Sequence, residues 1–493
     1  MATFDDLPTA PIPQSTAGPG RALRAARIVL ARPVAAFVGL SMLFGTLTMA
    51  LTPPLEGPDE PAHFLRAYGI SRGEIIPATT DAQDRKGIFF PARLYRGYAV
   101  FEAALFKLGK AEGFSYRNVW AEYFRTAQAP QPEERTAIFK PYWGSEGYAP
   151  VAYLPYVAAA LFARAADLDF VGTLFLMRFA GLAAMTAVAA YAVAIAGPLR
   201  WAFLLIAMLP SALYGRSVVS ADGAALAYAM VVAGLCVQAA RTAGAGRAWE
   251  RSLFMTLCVL SKPPQIAFAL LEAMARPFKE LPRHWRTLAL VMLPGLILSP
   301  LWVAAVSADA GAWRLFLDTD MPPEHFSLAW KLRFMLGHPL HFPKAAITTL
   351  RWTRDYWLQL IGILGWIDTW LQYWVYPAMS LALIGAWLTP LELERSVRLR
   401  IALVSGLTAF VYWLAIYLIF FVVWTPIASI EVEGVQGRYF LPVLPAIALA
   451  FAALVNRGPA PAASAAIALA GAVLSGVAVV EAILRVVGLP FDF

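Results

Sequence analysis

The chain has 493 residues, of which 59% are hydrophobic and only 15% are charged, and its mean hydropathy is +0.60. These values exclude an ordinary soluble protein of this size and indicate a multi-pass membrane protein, because soluble domains carry about 25% charged residues. The net charge of +8 does not indicate nucleic-acid binding, since the basic residues lie in short clusters between apolar runs, where they set helix orientation.

The first 32 residues are predicted to form a disordered cytoplasmic tail and its basic flank. Residues 1–20 are rich in Pro, Thr, Ser and Gly and carry too few apolar residues to build a core. Arginines at positions 21, 24, 27 and 32 then precede the apolar run 33–51, which is long enough to cross a membrane as a helix. The positive-inside rule puts these arginines in the cytoplasm, so the loop 52–147 is predicted to face the periplasm or the cell exterior.

This outer loop opens with the segment PPLEGPDEPAHFLRAYGISRGEIIP, residues 53–77. Asp59, Glu60, His63 and Arg66 follow closely after the apolar run, so charge begins where the hydrocarbon core ends. Carboxylates at the mouth of a membrane helix can stay hydrated while they face a lipid-borne substrate, which suits acid–base chemistry at the bilayer surface. The alternative interpretation is a solvated loop at a helix end, without a chemical role.

A second feature of the outer loop is a predicted amphipathic helix. Leu94, Tyr98, Phe101, Leu105 and Leu108 recur at helical spacing, with charged residues between them. The pattern predicts a helix that lies in the membrane interface and roofs a cavity. A solvent-facing cap is the alternative.

Beyond residue 147 the apolar runs follow one another closely, and they predict an all-α integral membrane protein with about 11–13 transmembrane helices. Beyond the first 32 residues, we divide the chain into a transmembrane catalytic module at 33–306 that includes the outer loop 52–147, an aromatic-rich outer loop at 307–370 and C-terminal transmembrane helices at 371–493. Basic clusters that begin at Arg241, Arg276 and Arg395 are predicted to be cytoplasmic. That orientation leaves one run between residues 148 and 196 that cannot be a simple crossing; a broken or re-entrant helix near Pro150 and Pro155 would explain it.

Four further motifs are predicted to lie on the same outer face as Asp59. They are SADG with Asp222, LSKPPQ with Lys262, GILGWIDTWL with Asp368, and QGRYF with Arg438 and Tyr439. An ammonium group at the depth of Lys262 needs an anionic partner, and the guanidinium of Arg438 suits bidentate recognition of phosphate. Three of the four motifs also have a plain structural interpretation: Asp222 caps a helix, Lys262 snorkels to the interface and Arg438 is an interfacial anchor.

Several other chemistries lack a signal in the sequence. The chain contains no P-loop, no GxSxG elbow, no HExxH motif and no cluster of Cys and His residues, so nucleotide hydrolysis, serine hydrolysis and zinc proteolysis have no support. The two cysteines, Cys236 and Cys258, lie inside apolar runs and are interpreted as small buried hydrophobic residues.

Taken in order from Pro53 to Pro442, these motifs resemble a large bacterial multi-pass membrane family of unassigned function that is related to C-type (GT-C) glycosyltransferases. The core PDEPAHF is similar to the first-loop acidic motif FDExHFG of protein O-mannosyltransferases, with Leu65 in place of the final glycine. GYAPVAYLP, residues 147–155, is similar to the proline–leucine motif that follows the first loop in lipid A aminoarabinose transferases, with Val151 in place of a leucine.

The resemblance implies a GT-C-like bundle, a polyprenyl-phosphate sugar donor and inverting transfer by a catalytic residue of the first outer loop. We therefore expect an enzyme of the bacterial inner membrane, in contact with membrane lipids, that moves a sugar onto an outer-face glycan or lipid acceptor. Asp59 would be the general base, although Glu60 could exchange roles with it.

The remaining candidate residues would bind and orient the substrates. Lys262, Arg438 and Arg216 would supply positive charge to the leaving phosphate, with or without a divalent cation, Mg²⁺ or Mn²⁺. Glu60, Asp222 and Asp368 would orient the acceptor or bind that metal. The predicted substrate-binding set is completed by three further side chains, those of His63, Arg66 and Tyr439.

Two other classes of function remain open from the sequence. In a transporter or flippase of polyprenyl-linked sugars, the same charges would line a pathway instead of catalysing transfer. In a non-catalytic subunit of a polysaccharide assembly complex, the acidic residues would be dispensable.

Overall fold

The computed structural model describes residues 32–82, 85–105, 114–128, 137–306, 328–426 and 429–488. The predicted tail, Leu108 of the predicted amphipathic helix and residues 307–327 of the predicted outer loop lie outside these ranges. The α-helices, in chain order, are α1 Pro33–Leu51, α2 Glu60–Ser71, α3 Ala92–Leu105, α4 Tyr116–Gln128, α5 Leu154–Ala165, α6 Phe170–Ile195, α7 Arg200–Ala207, α8 Pro210–Ser217, α9 Asp222–Arg241, α10 Ala248–Ser261, α11 Trp285–Val306, α12 Leu328–Gly337, α13 His341–Thr349, α14 Thr353–Gly362, α15 Val375–Trp387, α16 Arg395–Val423, α17 Leu444–Val455 and α18 Pro461–Val486.

Two longer 3₁₀ segments, Pro263–Ala275 and Gly437–Val443, stand between these helices, with shorter ones at Ser145–Gly147, Pro150–Ala152, Gly197–Leu199, Phe278–His284 and Leu350–Trp352. The described strands form two small antiparallel pairs. Gly87–Pro91 pairs with Ala137–Pro141, and Ile363–Leu364 pairs with Thr369–Trp370. Neither pair was expected, because segments this short carry no clear strand periodicity.

The all-α integral membrane class is confirmed. Within the described ranges, seven helical stretches are long and apolar enough to cross a membrane, and the count is up to eight if the bent pair Gly197–Ala207 and Pro210–Ser217, at 69°, forms one span. The seven stretches are Pro33–Leu51, Phe170–Ile195, Asp222–Arg241, Phe278–Val306, Arg395–Val423, Gly437–Val455 and Pro461–Val486. The other apolar runs of the sequence form shorter helices, so length and composition alone support fewer spans than were predicted.

Contacts between distant residues define two ends of the helical bundle. At one end, which we call the site end, Trp302 at the end of α11 donates a 2.9 Å hydrogen bond to the Gly147 carbonyl, and Asp59 pairs with Arg438. At the other, the basic end, Tyr191 of α6 donates to Glu250 of α10. Three short segments, α10, Pro263–Ala275 and α15, also run between these two ends.

Helix α5 begins and ends at the site end. Arg164, in its last turn, donates a 2.7 Å hydrogen bond to the Ser71 carbonyl. Asp169, four residues beyond the helix, accepts a 2.7 Å hydrogen bond from the Tyr123 hydroxyl. Helix α5 is therefore the apolar run between residues 148 and 196 that is not a simple crossing. Without it, the number of crossings agrees with the orientation predicted from the basic clusters.

The outer loop folds against the bundle through an aromatic cluster. Helix α3 is amphipathic, as its spacing predicts, and buries Leu94, Tyr98 and Phe101. Tyr98 packs edge-on against Phe170 of α6 at a centroid distance of 5.7 Å. Tyr98 therefore faces the interior of the protein and not the headgroup zone, for which its amphipathic ring is also suited.

Candidate functional site

Asp59 lies at the turn that joins the first helix to α2. Its backbone is left-handed, with φ 55°, a conformation that Asp and Asn adopt more readily than most residues do. Nearby, a side chain at Gly57 would put its Cβ 2.8 Å from Val218, so this position has space only for glycine. The Asp59 side chain is 43% exposed and points its carboxylate at Arg438.

Lys262 lies at the tip of a helical hairpin formed by α10 and Pro263–Ala275. The two arms pack side by side, and a buried ion pair with an N–O distance of 2.9 Å joins Arg251 to Glu272 near the basic end. Because a proline follows it, Lys262 is held in extended backbone, with φ −150° and ψ 139°, and cannot continue the helix. The LSKPPQ motif therefore delivers one ammonium group to the site end of the bundle.

Arg438 is held by the short 3₁₀ turn Gly437–Val443 at the start of a long span. A Cβ at Gly437 would collide with the Tyr356 carbonyl, and the Gly437 N–H donates a 2.7 Å hydrogen bond to Gln359. The Arg438 Nε donates a 2.7 Å hydrogen bond to the Gln436 amide oxygen, which leaves the outer edge of the guanidinium directed at the acids.

Two carboxylates and two cations meet at this point. Arg438 pairs with Asp59, and its Nη1 lies 3.6 Å from Asp222, which also pairs with Lys262. The buried Nη1 of Arg438 has no hydrogen-bond partner among the described residues. The ring of Tyr439 lies 5.3 Å from the Lys262 ammonium, close enough for a cation–π contact. The two positive and two negative charges balance, so a bound anion would compete with the carboxylates for the two cations.

His63 lies on α2, one helical turn from Asp59, and lines the same cavity. Its Nδ1 forms a 2.7 Å hydrogen bond with the Tyr153 hydroxyl, and its ring lies 5.5 Å from that of Tyr148. Burial lowers the pKa of His63 to about 4, although the nearby Asp59 and Asp222 carboxylates oppose this shift. The imidazole is therefore neutral near pH 7 and acts there as a hydrogen-bonding group, without charge.

The cavity at the cluster has a volume of about 390 Å³ and two unlike walls. One wall is polar and carries Asp59, His63, Lys86, Glu146 and Lys262. The other is built from the ends of α11 and α16 and is mostly apolar, with Val303, Val306, Tyr412, Ile416, Ile419, Phe420 and Val423. This arrangement can hold a molecule that has a charged head and a hydrocarbon chain.

Glu60 is placed away from this cavity, contrary to the expectation that it could share catalysis with Asp59. It is fully buried and forms an ion pair of 2.6 Å with Arg178 of α6, which is also fully buried. Its carboxylate accepts a 2.9 Å hydrogen bond from the Val219 N–H, and Arg178 also donates to the carbonyl of Thr52 at 2.6 Å. With its oxygens engaged in this way, Glu60 holds the loop in place and does not face a substrate.

Arg66, Arg216 and Asp368 are also placed apart from the cluster. Arg66 is buried and donates to the carbonyls of Glu74 and Ile75, so it organises its own loop. Arg216 is buried inside the bundle, where it donates to the Ala207 carbonyl, and Asp368 is exposed on a turn, where it accepts from the Trp366 N–H at 3.1 Å. None of these three side chains lines the 390 Å³ cavity.

The site does not fit a metal held by protein ligands. Among the residues that the structure describes, no group of three or more His, Cys, Asp or Glu side chains could hold a metal ion. The two carboxylates of the cluster, those of Asp59 and Asp222, are each paired with a cation. The predicted Mg²⁺ or Mn²⁺ therefore has no ligand set here.

Sequence reasoning missed Arg178, Tyr148 and Tyr153. Arg178 stands alone in the apolar run of α6, and an isolated charge in a membrane segment is itself a signal for a buried partner. Tyr148 and Tyr153 lie in the GYAPVAYLP segment and form one side of the His63 environment. Their role could not be found from spacing, because aromatic residues are equally common in membrane interfaces.

Comparison with known proteins places the chain at the level of a family. No curated protein and no solved structure matches it. A family model described as "Predicted membrane protein (DUF2142)" matches residues 42–447, a range that includes every candidate site residue. The chain therefore belongs to the DUF2142 family of predicted membrane proteins.

Proposed function

We propose that this protein is a GT-C-type membrane glycosyltransferase that transfers a sugar from a polyprenyl-phosphate donor to a glycan or lipid acceptor, with inversion. The observation that carries this proposal is the cavity whose charged wall, with Asp59 and Lys262, faces an apolar wall from α11 and α16. A lipid-linked phosphate needs both walls, because its head is anionic and its chain is apolar. The similarity of PDEPAHF to the first-loop motif of protein O-mannosyltransferases supports the same assignment.

The ion pairs suggest how donor binding activates the base. Arg438 and Lys262 are the two cations of the charged cluster, and each is paired with a carboxylate. A donor phosphate that binds Arg438 competes with Asp59 for the guanidinium, since both are oxyanions. Asp59 is then released from its partner and becomes available to accept a proton.

The transfer step uses the same groups. The acceptor hydroxyl oxygen attacks the anomeric carbon while the bond from that carbon to the phosphate oxygen breaks, and the phosphate keeps the electron pair. Asp59 takes the proton of the attacking hydroxyl, and Lys262 and Arg438 stabilise the charge that develops on the leaving phosphate. His63 is neutral near pH 7 and would orient the substrate by hydrogen bonding.

The orientation of the bundle supports an outward-facing site. Arg241, Arg247 and Arg276 belong to the basic end, and the positive-inside rule places such clusters in the cytoplasm. The cavity, at the opposite end, would then open toward the periplasm or exterior of a bacterial inner membrane.

The test is sugar transfer from a panel of radiolabelled polyprenyl-phosphate sugars by the purified chain in nanodiscs. Asp59→Asn removes the base and keeps the left-handed backbone, so we expect turnover to fall about 100-fold or more. Donor affinity should equal or exceed that of the wild type, because Arg438 loses the carboxylate that competes with the donor phosphate. Asp167→Asn is the matched control, because Asp167 also has a positive φ of 54° but lies outside the cavity.

Wild-type turnover in the Asp59→Asn variant would remove Asp59 as the base. If the wild type transfers no sugar from any donor in the panel but moves labelled carrier across a liposome bilayer, the protein is a transporter. If the wild type neither transfers sugar nor moves the carrier, the protein is assigned as a non-catalytic subunit of a polysaccharide assembly complex.

A further inference from the structure

A second cavity opens at the site end and differs in composition from the first. Its volume is about 410 Å³, within the range of about 300–1,000 Å³ that is typical of ligand pockets. Its lining includes three aromatic rings and three carboxylates, those of Trp352, Tyr356, Trp370, Asp355, Glu431 and Glu433. The mechanism proposed above uses none of these residues.

This second cavity lies close to the charged cluster. A small pocket of about 20 Å³, comparable to the space that one water molecule needs, shares Gln359, Ile363 and Ile367 with the second cavity. The same small pocket is lined by Asp222 and Arg438. A ligand in the second cavity is therefore separated from the cluster only by a few side chains.

The charge of the second cavity decides which ligands it favours. Glu431 is held in place by Arg351 at 2.7 Å and by the Trp352 Nε1, which donates a hydrogen bond of 2.9 Å. The carboxylates of Asp355 and Glu433 have no hydrogen-bond donor within the described ranges. The lining contains three acids and no basic residue, since Arg351 beside Glu431 and Lys331 near Glu433 lie outside it. This excess of acids disfavours a phosphate headgroup, whereas carboxylates accept hydrogen bonds from hydroxyl or amino groups.

The aromatic residues favour a ring-shaped partner. Trp352 and Trp370 line the cavity and are 41% and 40% exposed, so part of each indole ring is open to a ligand there. The carbon–hydrogen faces of a sugar ring pack on such rings while the hydroxyl groups at its edge reach carboxylates. The combination of exposed indoles with unpaired acids fits a neutral or amino sugar.

We propose that the second cavity binds the acceptor and that the acceptor is a glycan. The inference rests on the proposed function and narrows it, since lipid and glycan acceptors were both open. In this arrangement the lipid-linked donor occupies the cavity with the apolar wall, the glycan occupies the aromatic and acidic cavity, and the reacting groups meet near Asp59 and Arg438.

The experiment measures glycan binding without any donor. The full chain in nanodiscs is applied to an array of neutral, amino and anionic glycans, and affinities are then measured for the glycans that it retains. We expect retention of neutral or amino glycans, with affinity about tenfold weaker in Trp352→Ala and in Trp370→Ala. Trp374→Ala is the matched control, because Trp374 is 60% exposed but does not line the cavity.

The same assay separates this inference from the proposed function. Because the assay contains no donor, glycan binding and its loss in Trp352→Ala are measured whether or not the chain transfers any sugar. The proposal is overturned if no glycan is retained, if only anionic glycans are retained, or if Trp374→Ala weakens binding as much as Trp352→Ala. If no glycan is retained, and Trp352→Ala, Trp370→Ala and Trp374→Ala all insert less well into liposomes, these rings are assigned to the membrane interface.

Discussion

Asp59 and Glu60 are neighbours in the chain but have opposite surroundings. Asp59 is partly exposed at the cavity, whereas Glu60 is fully buried against Arg178. The difference arises because the left-handed backbone at Asp59 ends the loop, and the first residue of α2 then points into the bundle. Adjacent acids therefore have separate tasks, one at the cavity and one in the scaffold.

The first residue-scale prediction concerns this buried pair. Glu60→Gln leaves the Arg178 guanidinium buried without its counter-ion, which typically costs about 3–5 kcal/mol. We expect a clearly lower thermal midpoint in detergent for this variant and a midpoint close to wild type for Asp59→Asn. Equal stability of the two variants would contradict the structural role of Glu60.

A second residue-scale prediction concerns pH. Burial raises the pKa of Glu56 from its ordinary 4.5 to about 7, against the opposing effect of the Tyr116 hydroxyl that donates to it. The folded state therefore holds a proton that the unfolded state releases, so this stabilising contribution is complete below pH 4.5 and is lost as the pH rises through about 7.

Glu56→Gln should remove this contribution, because the amide does not titrate. The difference in free energy of unfolding between wild type and variant should change by on the order of 3 kcal/mol between pH 4.5 and 7, with the wild type weakening as the pH rises. Thermal unfolding of both proteins across this range provides the measurement. A difference that does not vary with pH would show that Glu56 is ionised in the folded state.

At the scale of elements, the helical hairpin is the feature that puts a cation into the site. Pro263→Ala removes the restriction that keeps Lys262 extended, so we expect Lys262 to join the preceding helix and leave the cavity. Donor affinity should then fall about tenfold or more, as it should for Lys262→Met, because a charge-assisted contact is worth about 1.5–3 kcal/mol.

Pro282→Ala, in a 3₁₀ segment near the basic end, is the control for the loss of a proline. Donor binding is followed with a labelled polyprenyl-phosphate sugar. If Pro263→Ala keeps wild-type affinity while Lys262→Met loses it, the position of Lys262 does not depend on the proline.

At the scale of the whole molecule, the two ends of the bundle should lie on opposite sides of the membrane. Single cysteines at Arg72 and Tyr373, both exposed at the site end, should react with an impermeant maleimide in intact cells. Cysteines at Lys279 and Arg457, exposed at the basic end, should react only after permeabilisation. The native Cys236 and Cys258 are buried and give little background. Reaction of all four positions in intact cells would contradict this orientation.

The sequence was sufficient for the class of fold and for the residues that converge, since Asp59, Asp222, Lys262 and Arg438 all stand at the mouths of apolar runs. It could not separate these residues from Arg66 or Arg216, because a charged side chain near a helix end can face a cavity or the protein interior with the same spacing. The direction in which such a side chain faces depends on how the helices pack together, and this packing is known only from the three-dimensional structure.

The Asp59–Arg438 pair joins residues that are 379 positions apart in the chain. At a synthesis rate of about 5–20 residues per second, Asp59 is made roughly 20–75 s before its partner. Arg178, the partner of Glu60, is made much sooner, because it lies only 118 positions further along the chain. The scaffold around the first motif can therefore form before Arg438 has been made. The membrane insertion machinery therefore handles, during each round of synthesis, a nearly complete bundle whose acidic site has yet to be neutralised.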